Sequence, residues 1–72
     1  MTRQEWLDAF ASAAGVAVPS EDEIEALLEL AGVAAHASER TAAPITCWIA
    51  AVAGIDPAGA LRLAQSISAG GS

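Results

Sequence analysis

Apolar and polar positions along this chain fall into four stretches of helical period separated by short breaks. The first opens at Thr2-Arg3-Gln4-Glu5, a capping box in which the Thr2 hydroxyl caps and Glu5 reaches back. Trp6, Leu7, Phe10, Ala13 and Ala14 then recur on one side, with Glu5, Asp8 and Ser12 on the other. Gly15 can take the left-handed conformation that ends a helix. Val16 to Pro19 is a connector too short to pair as a strand. Ser20-Glu21-Asp22-Glu23 is a second capping box, its acids favoured by the positive end of the helix dipole. This second helix is predicted to run to about Ala37. Ile24, Leu27, Leu28, Ala31, Ala34 and Ala35 form its buried stripe, and Glu25, Glu29 and His36 its opposite flank. Gly32 weakens the interior by about 1 kcal/mol relative to alanine and leaves room for another backbone to approach.

The third stretch carries no charge from Thr41 to Ile55. Ala43 precedes a proline, which disfavours helical angles there, and Pro44 suits a first helical position. A helix over Pro44–Ile55 places Ile45, Trp48, Ile49, Val52 and Ile55 on one face and only Cys47, Ala50, Ala51 and Gly54 on the other. A helix that is apolar all round needs cover on more than one side, so this one is expected at the centre of the fold or at a subunit contact. Asp56-Pro57 then caps and opens a fourth helix. Its inner face is Ala60, Leu61, Ala64 and Ile67, with Arg62, Gln65 and Ser66 outward. Residues 69–72 read as a frayed tail. The expected fold is all-α: a compact bundle of four short helices in one domain over residues 1–72.

Length changes this picture first. A core built from 72 residues seldom supplies more than about 3–5 kcal/mol, and much of this one is alanine. Charge changes it next. Nine acids against three arginines give a net charge of −6. Without clustered cations there is nothing to displace counterions from a phosphate backbone, which argues against nucleic acid and against an anionic membrane surface. A single cysteine excludes an internal disulfide and suits a reducing, cytoplasmic setting. No signal segment opens the chain, and the uncharged run falls short of the roughly 20 apolar residues a membrane span needs.

Candidate chemistry is sparse. His36 is the lone histidine. Glu29 lies about 10 Å away along a helix, too far to share an ion, so no metal site is expected, and a ring near a helix C-terminus explains His36 as well. Cys47 sits in an uncharged helix beside Trp48, without the electropositive niche a nucleophilic cysteine needs. Arg40, next to Glu39 in the connector, suits a carboxylate, a phosphate or the last carbonyls of the preceding helix. The acids of the second helix lack the alternating spacing and central glycine of a calcium loop. The residues make no positive case for an enzyme, and no cofactor is implied.

The run Ala34-Ala35-His36-Ala37-Ser38-Glu39-Arg40-Thr41-Ala42-Ala43-Pro44-Ile45-Thr46 resembles a small helical domain family of unknown function from actinobacteria. Its members share a V-A-H-x-x-E-R-P-A-A-P-L-T core and an opening like Glu5-Trp6-Leu7. The likeness spans Thr2 to about Ile67. It matches at His36, Glu39, Arg40, Ala42, Ala43, Pro44 and Thr46. It departs at Thr41, where proline is usual, and at Cys47-Trp48, where Thr or Ala precedes an aromatic or aliphatic residue. The family occurs alone or fused to molybdenum-cofactor guanylyltransferase-like nucleotidyltransferases. The resemblance therefore implies a non-catalytic accessory role near cofactor maturation, docking a nucleotidyltransferase or another cofactor-assembly protein. It marks His36, Glu39, Arg40 and Thr46 as a partner surface, or alternatively as a hydrogen-bonded lock on the turn. Two further expectations stand beside it. One is a homodimer in which Cys47, Ala50, Ala51 and Gly54 let two helices approach; the other is a small anionic ligand held by Arg40 and His36.

Overall fold

Local chemistry sets where each helix starts and stops. The computed structural model describes residues 1–70 and contains α1 (Arg3–Ala14), α2 (Glu21–Ala37), α3 (Ala42–Val52) and α4 (Pro57–Gly70), with no strand among the described residues. Both expected capping boxes form. The Glu5 N–H donates to Thr2 Oγ1 (3.1 Å) while the Glu5 carboxylate accepts from the Thr2 N–H (2.8 Å). Ser20 and Glu23 repeat the pattern at 3.1 and 2.8 Å. At α4 the Asp56 carboxylate accepts from the Gly59 N–H at 3.1 Å. A Cβ at Gly59 would lie 2.5 Å from that capping oxygen, so a side chain there would require the Asp56 carboxylate to turn.

α3 departs from expectation at both ends. It starts at Ala42 rather than Pro44, with Thr41 already right-handed and making no side-chain cap. Two turn bonds, Ala42 N–H to the Glu39 carbonyl (2.9 Å) and Ala43 N–H to the Arg40 carbonyl (3.2 Å), wind the chain into the helix before the proline. Pro44 then falls third, still within the first turn, where backbone N–H groups have no intrahelical partner to lose. At the other end Gly54 is left-handed (φ 74°), its N–H bonds the Ala51 carbonyl, and the Ile55 N–H bonds that of Ala50. This paired closure ends the helix at Val52. It also folds Ile55 back onto the core.

The central helix is α2, not α3. The close helix pairs are α2 with α4 and α2 with α3, and α1 lies much more loosely against the rest. At the hub Leu30 is 1% exposed, held between Ala50 of α3 and Ala60 of α4, with Leu27, Cys47, Ile55 and Ala64 packed around. Leu30 lies outside the stripe expected from the sequence, and Leu28, which that stripe contains, is exposed. The reason is that α2 is covered from two sides, which turns its buried face toward the seam between α3 and α4. Gly32 serves no close approach: a Cβ there would meet nothing within 4 Å. The tail expected to fray from 69 is helical at Ala69 and Gly70; its last two residues lie outside the described residues.

Two substitutions on one helix should move stability in opposite directions. Leu30→Ala should cost about 2–5 kcal/mol, enough to leave most of a core this small unfolded. Gly32→Ala should add about 0.5–1 kcal/mol. Denaturant melts followed by far-UV circular dichroism check both. The capping bonds from Thr2, backbone first and hydroxyl second, hold the Glu5 carboxyl below its ordinary value of 4.5. A depressed folded-state value means the cap contributes fully above the unfolded value and is lost as pH falls through the folded one. Helicity of α1 should therefore decline on acidification below about 4.5, and Glu5→Gln should flatten that decline in a circular dichroism titration.

Candidate functional site

α3 and α4 both pack on α2 but not closely on each other, and the opening between them is an apolar groove of about 160 Å³. Leu30, Ala50 and Ala60 form its floor. Thr46 and Ile49 line the α3 wall, Leu63 and Ile67 the α4 wall, and Ile55 also lines it. Small residues at 50 and 60 let the helices come close to Leu30, and the larger residues beside them are left as rims. A second recess, of about 280 Å³, shares Thr46 and Ile67 with the groove and adds Val33, Ala34, Ala37 and Ser38 at the C-terminal end of α2. Thr46 is thus a sequence-marked site residue that the fold places inside a concavity.

The other three stand on the connector between α2 and α3. His36, in the last turn of α2, and Glu39 and Arg40 beyond it are exposed. Among the described residues their side chains make no hydrogen bond or ion pair, so the hydrogen-bonded lock is not formed. Arg40 does not cap α2 either. Backbone bonds hold the turn: Ser38 N–H and Ser38 Oγ both donate to the Ala34 carbonyl, at 3.1 and 2.9 Å, and the two turn bonds into α3 follow.

The inner face of α3 is the reverse of the bulky one. Ala50 is buried and Cys47, a free thiol, packs half-buried on the core. Ile45, Trp48, Ile49 and Val52 point outward, Trp48 with 70% of its surface exposed. Of the small-residue stripe expected to join two copies, Cys47 and Ala50 are occupied within one chain, Ala51 stays exposed, and Gly54 serves as the helix stop. α1 shows a parallel difference. Leu7 is half-buried and Ala11 buried, whereas Trp6 and Phe10 stack outside as a tilted ring pair with centroids 6.0 Å apart. Sequence reasoning missed the groove because an uncharged helix does not mark its own inner side. The available signal was the pair of alanines at 50 and 60, each able to admit a leucine knob.

No group of histidine, cysteine and acidic side chains able to hold a metal occurs among the described residues. None of the described helices is long and apolar enough to cross a membrane.

The sequence model of a family described as a domain of unknown function, DUF6457, matches residues 1–69. The chain belongs to the DUF6457 family. That match extends over the whole stretch, Thr2 to Ile67, for which a small helical family of unknown function was expected. Comparison with curated proteins and with solved structures gives no match. In this DUF6457 member the motif residues and the groove adjoin at Thr46, which makes the α3 end nearest the connector the candidate site.

Enlarging the inner face of α3 tests its assignment. Ala50→Leu should lower stability by about 1–3 kcal/mol through overpacking against Leu30. Ala51→Leu, at an exposed position, should change it by less than about 0.5 kcal/mol. Equal effects in chemical denaturation would place the seam elsewhere.

Proposed function

We propose that this chain is a non-catalytic accessory module that docks another protein through the connector from His36 to Pro44. The observation that supports this reading most directly is that His36, Glu39 and Arg40 are exposed and without side-chain partners. Three polar side chains that stabilise nothing in their own chain are available to a second one, and loop residues carry function disproportionately. Arg40 offers a planar fork to a carboxylate, His36 a ring donor or acceptor, and the recess at Val33, Ala37 and Thr46 an apolar seat beside them. The acids at the start of α2 add a field that favours a partner with a basic surface and speeds encounter at low salt.

The partner class comes from the resemblance to an actinobacterial family fused to molybdenum-cofactor guanylyltransferase-like nucleotidyltransferases. Fusion of a module to an enzyme in some proteins supports docking to the same enzyme where the two are separate. The partner is accordingly a cytoplasmic nucleotidyltransferase or a related enzyme of molybdenum cofactor assembly, and the module contributes contact rather than chemistry.

Titration calorimetry with a molybdenum-cofactor guanylyltransferase tests this. Binding should weaken as ionic strength rises. It should fall roughly tenfold, about 1.4 kcal/mol, in Arg40→Ala, with the melting curve of the free chain unchanged. Absence of binding at high concentration of both proteins would overturn the reading.

A further inference from the structure

We infer that the outer face of α3, with the α3–α4 groove beside it, is covered in solution by the same face of a second copy of this chain. The first observation is area. The chain exposes 5206 Å², whereas a folded monomer of 7.2 kDa is expected to expose roughly 4,100 Å². The excess, about 1,100 Å², is of the size one partner buries in a stable protein–protein interface, about 800 Å².

The second observation is where the apolar part of that surface lies. Ile45, Trp48, Ile49 and Val52 recur at the spacing of one helical stripe, and all four are exposed. Ile49 continues the stripe into the groove, whose far rim carries exposed Leu63 and Ile67. Six large apolar side chains on two neighbouring helices form a patch of a kind that monomeric soluble proteins rarely leave bare. A tryptophan at its middle is the usual anchor residue of an interface. The groove beside it offers the matching hole, and a two-fold arrangement uses each knob and each hole twice.

Charge does not oppose a second copy at this face, although the chain carries a net charge of −6. Seven of the nine acids precede Leu30, on α1 and α2, and none lies between Arg40 and Asp56. The α3 face therefore presents no charge for a basic or acidic partner to read. Two copies can meet there while their like-charged helices α1 and α2 stay in solvent. The exposed pair Trp6 and Phe10 on α1 is a weaker candidate because Arg3, Glu5 and Asp8 stand around it. This pairing centres on Trp48, away from His36, Glu39 and Arg40, adjoins the connector surface only at Thr46 and Ile67, and does not depend on the docking reading.

Light scattering and sedimentation across a wide concentration range decide the matter for wild type, Trp48→Asp, Val52→Asp and Trp6→Asp, with circular dichroism confirming helicity in each. The expected result is a wild-type mass of twice 7.2 kDa, halved in Trp48→Asp and Val52→Asp and unchanged in Trp6→Asp. Should the aspartate variants fail to fold, Trp6→Phe leaves Trp48 as the sole tryptophan. Its emission should then shift to the blue as concentration rises. A wild-type chain that stays monomeric, or whose Trp48 emission ignores concentration, overturns the inference. So does a dimer that survives Trp48→Asp but is broken by Trp6→Asp. A monomer that still binds a guanylyltransferase through Arg40 would sink self-pairing alone, whereas a dimer that binds no such enzyme would sink only the docking reading.

Discussion

Leu30 and the two alanines that receive it, Ala50 and Ala60, hold this structure together. A leucine that is 1% exposed in a 72-residue chain is the chain's principal apolar burial, and α3 and α4 are both placed by it. Close approach at an alanine brings backbone and Cβ atoms to within van der Waals reach of the leucine, and the many small dispersion gains depend on that proximity. A large residue at either position would hold the helices apart. The arrangement therefore determines which side of α3 faces in. The small side seats on Leu30, and every large apolar side chain of that helix is carried to the outside.

That choice leaves the large apolar side chains of α3 facing solvent within the single chain. Four short helices supply one layer on α2 and no second layer beyond α3. Surface scaling makes small domains expose a larger share of their area in any case, and here the exposed share includes Trp48, Ile45 and Val52 rather than polar groups. The polar groups are concentrated elsewhere, on α1 and the outward face of α2. The result is a molecule with an acidic half and a half of no net charge, in which Arg40 and Arg62 balance Glu39 and Asp56. Between two copies, like charges resist contact through the first half, while apolar burial favours contact through the second.

Features governed by neighbours in sequence were legible before the structure. The boxes at Thr2-Glu5 and Ser20-Glu23, the Asp56-Pro57 start and the Gly15 stop depend on residues a few positions apart, and all of them form. α3 starts two residues ahead of Pro44, although proline restricts Ala43. In the fold, two turn bonds from Glu39 and Arg40 outweigh that restriction. The orientation of α3 was not legible. Its two faces differ in size but not in polarity, so periodicity cannot tell inside from outside. Only the complementarity between a leucine on one helix and an alanine on each of two others decides it, and that is a relation between distant positions.

The same distinction explains why the connector, and not the groove, could be singled out from the chain alone. His36, Glu39 and Arg40 stand out because polar residues in a short loop invite the question of what they bond to. In the fold the turn is closed by main-chain groups and by Ser38, none of which needs those three side chains. A loop whose geometry is independent of its polar side chains leaves their identity free to be set by something outside the chain. Thr46 ties the two surfaces together, since it lies one helical turn from Thr41 and Ala42 and lines both recesses. A partner seated at the connector would therefore reach the edge of the groove. Pairing of α3 faces and docking at the connector would then influence each other through Thr46, by way of contact rather than any change of fold.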